Sequence, residues 1–309
     1  MAGPQHPGAK LRERIDPVSA LVTALGYRPD ARLLVVHEDD VGMNHGANRA
    51  FTELSRDGFL TCGSVMVPCP WFREIADEAA ADSDLDLGVH LTLTSEWPHY
   101  RWAPISTVSR ASGLIDPDGY MWRNCLDLRA HVAPEAAEAE MRAQIERALQ
   151  AGIDVTHLDT HMGAALVPEL AEIYLRLGRE YRLPTLLPRQ FGTYAGILRL
   201  GDLGGFDYAG LRQDGDWPDV DAFRMTPGVP SNEADEAYRR LITTIERGVT
   251  FLALHCNAPG DIEAIVPPRA HWRTDEYRLF ASDGFARLAA EQGIVPIGMR
   301  AIRDKLSVA

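Results

Sequence analysis

Short apolar runs of β-forming residues alternate with amphipathic helical segments along nearly the whole chain. That alternation limits the fold more than any other feature. A strand followed by a helix brings the chain back to start a parallel neighbour, through a right-handed crossover. Residues 33–37, 62–67, 85–91, 155–159, 185–187, 249–255 and 294–298 read as strands. Residues 44–56, 71–81, 134–151, 168–181, 233–248 and 276–293 read as the helices between them. Seven or so parallel strands must then form either a closed barrel or an open doubly wound sheet.

Two stretches break the pattern. Residues 92–132 form a long irregular segment carrying Trp97, Tyr100, Trp102, Tyr120 and Trp122. These aromatics either wall a site for a ring-shaped ligand or fasten the loop to the body. Residues 191–232 are rich in Gly and Asp and read as an insertion, and residues 1–30 as an N-terminal helical extension. The whole of 1–309 is expected to be one domain.

Composition narrows the function. The chain is 46% hydrophobic and 24% charged, which fits a globular protein and not a disordered one. A net charge of −13 argues against a general nucleic-acid binder or a surface for anionic lipid. No window is apolar enough to span a membrane. Cys62, Cys69, Cys125 and Cys256 show no CxxC pairing, so neither a zinc finger nor a disulfide scaffold is expected. Free thiols and the lack of a secretory pattern suggest a cytoplasmic protein. Neither GxGxxG nor GxxxxGK[ST] follows a strand, which removes the main support for dinucleotide and P-loop readings.

Reactive side chains gather at the ends of the strands. The first runs into Asp39-Asp40, the third ends at His90, and the fourth leads through His157 and Asp159 to His161. The fifth ends near Arg189 and the late apolar strand at His255. In parallel β/α folds the active site lies at that edge. Two adjacent carboxylates repel unless a cation compensates them. A divalent metal does so by accepting one, leaving the other as a base for water. An N-cap role explains only one Asp, and Asn44 can fill it. His161, beyond the strand end, is better placed than His157 to reach a metal shared with His90. Two imidazoles, one carboxylate and open positions describe a catalytic site. His255 could protonate a leaving group. A thiol mechanism through Cys256 is poorly placed, because neighbours on a strand point to opposite faces.

The ordered motifs are Glu38-Asp-Asp-Val-Gly42 with Asn44, the segment 58–66, Gly88-Val-His-Leu-Thr92, Gln144, and Thr156-His-Leu-Asp-Thr-His161. In this order they resemble the YdjC-like carbohydrate deacetylase family. The resemblance implies an irregular (β/α) barrel related to polysaccharide deacetylases. It also implies metal-dependent hydrolysis of an N-acetyl group on an amino sugar. Asp40, His90 and His161 then look like the metal ligands, Asp39 the base, and His255 the acid or oxyanion partner. Arg189 looks like the residue that orients Asp39. The cofactor is one divalent ion, zinc or magnesium foremost. The partner is a small N-acetylated sugar, with no nucleic acid and no membrane, and self-association into a homo-oligomer is an option. A sugar isomerase or lyase on a similar barrel, and a sugar-binding protein with a decayed site, are the rival readings. Met162-Gly-Ala-Ala165 and Cys256-Asn-Ala258 depart from the family pattern at the rim of the pocket.

Overall fold

Five of the seven strands among the described residues are buried almost throughout, as a parallel sheet covered by helices requires. The computed structural model describes residues 19–189, 191–211, 213 and 219–306. The strands are β1 (Arg32–Val41), β2 (Cys62–Val65), β3 (Leu87–Leu91), β4 (Leu158–Thr160), β5 (Ala222–Met225), β6 (Gly248–Leu254) and β7 (Ile294–Pro296). Their order is β4-β3-β2-β1-β6-β5, all parallel, with β7 paired to the start of β1. β1 is thus central, and its Leu33–Val36 segment is fully buried.

The sheet curls until its edges are bridged. Thr185 pairs with Leu158 of β4, and Pro188 pairs with Val220 beside β5. Two isolated bridges therefore close an irregular (β/α) barrel. The expected strand over 185–187 is reduced to these bridges, because Pro184 and Pro188 flank it and proline has no N–H to extend a ladder. Part of the expected insertion is in turn a strand. β5 pairs with β6 from Ala222↔Thr250 to Met225↔Ala253. Four residues followed by Thr-Pro-Gly are too few to show a period.

The helices follow their local signals. Asn44 accepts a hydrogen bond from the Ala47 N–H at 3.2 Å and caps the helix His45–Asp57, which buries Ala47, Ala50, Phe51 and Leu54. Pro134 opens Pro134–Gln150 at a position where its missing N–H costs nothing. The expected helix over 276–293 is two helices, Ala270–Phe280 and Gly284–Glu291. The break lets Phe280 and Phe285 turn onto each other, with ring centroids 4.9 Å apart. Of the N-terminal extension only Ala20–Ala24 is helical among the described residues; positions 1–18 lie outside them. No helix among the described residues is long and apolar enough to cross a membrane.

Candidate metal centre and cleft

A break in register creates the site. β1 pairs with β2 as His37↔Cys62 and Glu38↔Gly63, and resumes as Val41↔Val65. Asp39 and Asp40 thus stand opposite the single residue Ser64, which is a bulge. Asp40 has φ +61°, the left-handed region. In a regular strand, consecutive side chains point to opposite faces. Here the bulge turns both carboxylates into one cleft of about 520 Å³. Left-handed backbone costs an L-residue roughly 1 kcal/mol, and Asp and Asn tolerate it best among the non-glycines. Glu38 is buried beside Cys256 and is not among the cleft residues; burial, reinforced by the Glu276 charge, drives its carboxyl well above the usual range.

Three buried groups converge at the floor. Asp40 Oδ1 lies 3.1 Å from His161 Nδ1 and 3.5 Å from His90 Nε2. The far nitrogen of each ring is held by a carboxylate. His90 Nδ1 lies 2.9 Å from Asp159 Oδ1, whose other oxygen accepts from Ser64 Oγ at 3.0 Å. His161 Nε2 lies 2.9 Å from Glu96 Oε2. Carboxylates only accept, so each ring keeps a hydrogen on its outer nitrogen, and the inner one faces Asp40 Oδ1 across a gap that a second proton or a cation must fill. Two imidazole nitrogens and one carboxylate oxygen, with carboxylates behind both rings, fit a divalent cation with open positions.

The electrostatics agree. Burial disfavours an imidazolium, yet Glu96 and Asp40 push His161 up to about 9, and Asp159 and Asp40 carry His90 well above its ordinary value. The surroundings therefore attract positive charge, which a cation can supply in place of protons. Burial also opposes an ionised Asp40. The Arg273 guanidinium, with Nη2 2.7 Å from Asp40 Oδ2, and the two imidazoles outweigh it and hold Asp40 well below the usual range.

Asp39 and His255 face each other across the cleft, with His255 Nε2 3.7 Å from Asp39 Oδ2. His255 Nδ1 lies 3.0 Å from Thr226 Oγ1, and that hydroxyl donates to Glu276 Oε1 at 2.5 Å. With its hydrogen committed to Glu276, Thr226 accepts from His255 Nδ1, which leaves Nε2 to face the cleft. Glu276 also accepts from Tyr238 and, at 2.6 Å, from the His255 backbone N–H.

The structure brings Asp39, Asp40, His90, His161 and His255 together, and places Arg189 elsewhere. Arg189 pairs with Asp221 at 2.8 Å and lines a separate pocket with Phe191 and Tyr208, so it does not orient Asp39. The guanidinium in contact with Asp40 is that of Arg273. His157 is buried, 2.9 Å from His37, and takes no part in the ligand cluster around Asp40. Sequence reasoning missed Glu96, Ser64, Thr226 and Glu276, which stand on a loop, a strand or a helix with no local marker. His37 did carry a signal, being two residues before Asp39 on the same strand face.

Of the loop aromatics, only Trp97 lines the cleft. Tyr100 donates to the Met43 carbonyl, Trp102 packs edge-on against His161, and Trp122 stacks on His131, so these fasten the loop. Trp272 also lines the cleft, beneath the Arg269 guanidinium, together with the buried Tyr194 and Phe223. Gln144 clamps the Thr92 backbone through both its amide atoms, at 2.9 and 2.7 Å, fixing the chain beyond β3. All four cysteines are free and buried.

Comparison with known proteins places this geometry in a family. The family model described as YdjC-like protein matches residues 33–291. A carbohydrate deacetylase from Thermus thermophilus is 42% identical over 157 residues, which are 51% of this chain and 54% of that protein. A carbohydrate deacetylase from Brevibacillus brevis is 34% identical over 52% of this chain and 61% of its own length. The chain thus spans between half and two thirds of these relatives. Among solved structures, a protein from Enterococcus faecalis V583 described as a cellobiose-phosphate cleavage protein matches with a TM-score of 0.70. It is 22% identical, over 88% of this chain and 99% of that one, and it shares the fold.

Proposed function

The chain belongs to the YdjC-like family, and on that premise we propose that it hydrolyses the N-acetyl group of an amino sugar or small oligosaccharide, releasing acetate. One divalent ion, zinc or magnesium, would be held by Asp40, His90 and His161. A bound ion would supply Lewis-acid polarisation of the amide carbonyl. The observation that carries the reading is the pairing of Asp39 with His255 across a cleft that also holds the three converging donors. A water molecule attacks the carbonyl carbon and Asp39 takes its proton. His255 gives a proton to the departing nitrogen, so the C–N bond breaks to a carboxylate and an amine. Thr226 and Glu276 hold the His255 ring with Nε2 toward the cleft. Trp97 and Trp272 offer flat apolar faces to a sugar ring.

The test is acetate release from a panel of N-acetylated mono- and oligosaccharides, with zinc, magnesium or chelator. Metal-dependent release is expected from at least one member. Asp39→Asn should keep its metal and lose about 10²- to 10⁴-fold in kcat, the usual worth of a positioned acid–base group. Metal-loaded protein that releases no acetate from any sugar, or an Asp39→Asn variant with near-normal turnover, would overturn the assignment.

A further inference from the structure

Behind Asp39 runs a line of buried polar groups that the reaction does not explain. His37 Nδ1 lies 2.7 Å from Asp39 Oδ1, His37 Nε2 lies 2.9 Å from His157 Nε2, and His157 Nδ1 lies 2.9 Å from Thr156 Oγ1. His37, His157 and Thr156 are all fully buried, so water cannot stand in for any link. The fold makes room for them. A Cβ on Gly88 would come within 2.5 Å of the His157 ring, and the His37 ring packs 4.7 Å from that of Phe251.

Each contact holds one hydrogen, and the ends decide its direction. A carboxylate only accepts, so His37 Nδ1 donates to Asp39. His157 carries a single hydrogen, because burial holds it neutral, with its titration down to about 3. If that hydrogen is on Nε2, it points at His37 Nε2, and the Thr156 hydroxyl, which lies between His157 and the buried Asp86 carboxyl, turns its hydrogen to the bare His157 Nδ1 at 2.9 Å. Every hydrogen then points toward Asp39 and both rings are uncharged. If it is on Nδ1, His37 must donate from both nitrogens and carry a charge on a buried ring; Asp159 Oδ2, 3.8 Å from His37 Nε2, faces that charge but is already engaged by Ser64, so a desolvation cost remains. The first arrangement is favoured, and bonds aligned in one direction polarise one another.

We propose that Thr156, His157 and His37 form a one-way hydrogen-bond chain that holds Asp39 by Oδ1 and leaves Oδ2 as the atom that takes the proton from water. Oδ2 is the oxygen that faces His255. His37 and His157 are on this account positioning residues, acting through Asp39. The kinetic part rests on the deacetylase reading; the hydrogen-bond pattern stands without it.

Two measurements decide it. Long-range proton–nitrogen correlation on ¹⁵N-histidine protein loaded with zinc reports which ring nitrogens carry hydrogen. His37 protonated at Nδ1 alone and His157 at Nε2 are expected; a His157 protonated at Nδ1, or a His37 bare at Nδ1 or protonated at both nitrogens, would overturn the chain. The second compares His37→Asn with His37→Gln. The Asn amide nitrogen sits near the place of Nδ1 and keeps the donor to Asp39, whereas the Gln amide nitrogen sits near Nε2 and does not. His37→Gln should lose about 10²-fold in kcat with KM within about threefold, the scale of a misplaced reacting group, while His37→Asn keeps roughly a third of wild-type kcat or more. Equal kcat for the two variants would show that His37 merely fills space. Wild-type protein that deacetylates no sugar would sink the reaction assignment alone, since the nitrogen spectra still test the chain.

Discussion

Asp159→Asn isolates what a carboxylate behind a ligand contributes. Asp159 is 2% exposed and accepts from His90 Nδ1 at 2.9 Å and Ser64 Oγ at 3.0 Å. An amide has the same shape. Its oxygen can take the His90 hydrogen, and its NH₂ can face the Ser64 hydroxyl, which also accepts. Packing should therefore survive and only the charge is lost. Partners of this kind are worth about 10- to 100-fold in metal affinity, or roughly 1.4–2.7 kcal/mol. A second effect opposes the first. Asp159 also raises the affinity of His90 for a proton, against burial, and that proton competes with the metal. Removing the charge relieves the competition at acidic and neutral pH, so the full loss appears only in alkaline solution. Zinc affinity, measured by competition with a chromophoric chelator, should fall more at pH 9 than at pH 6.5, with an unchanged circular dichroism spectrum. Affinity within about twofold of wild type at pH 9 would refute the reasoning.

Three further outcomes follow from the site and its surroundings. Because His161 titrates at about 9 before metal enters, wild-type metal affinity should climb as pH rises to that value, by up to about tenfold per unit for each proton released; calorimetry in buffers of differing ionisation enthalpy would count those protons. His157 is held neutral with a folded value of about 3 against an ordinary 6.5, so the unfolded chain binds the extra proton between these limits. Its contribution to stability is complete above pH 6.5 and is lost as pH falls toward 3, by at most about 5 kcal/mol; the Tm of His157→Gln should accordingly fall less steeply than that of wild type over that range. Burial raises the thiols of Cys62, Cys69, Cys125 and Cys256, so an aromatic disulfide reagent should label none of them until the protein is unfolded.

The strands and the cluster of Asp40, His90 and His161 were legible for one shared reason. A buried parallel strand is written as a continuous apolar run, and the residue that ends it lies on the edge that carries the cleft, as His90 and His255 do. Arg273 could not be found that way. It stands inside the helix Ala270–Phe280 and reaches Asp40 from a position 233 residues distant in the chain. Arg189 looked suitable because it follows an apolar run, yet that run closes the barrel on its far seam. Thr226 and Glu276 show the same limit. Each is unremarkable alone, and only folding sets one between His255 and the other. β5 was hidden because four residues cannot display a period, and the Gly-rich stretch before it dominates the local pattern.

The left-handed backbone at Asp40 also bears on how such a chain can diverge. Metal binding at that position asks for Asp or Glu, while the bend asks for Gly, Asn or Asp. One amino acid satisfies both demands. Asn or Gly at position 40 would keep the bulge intact and lose the charge, whereas Glu would keep the charge and strain the turn. A change to Asn would therefore remove the charge and leave the backbone of the cleft almost unaltered.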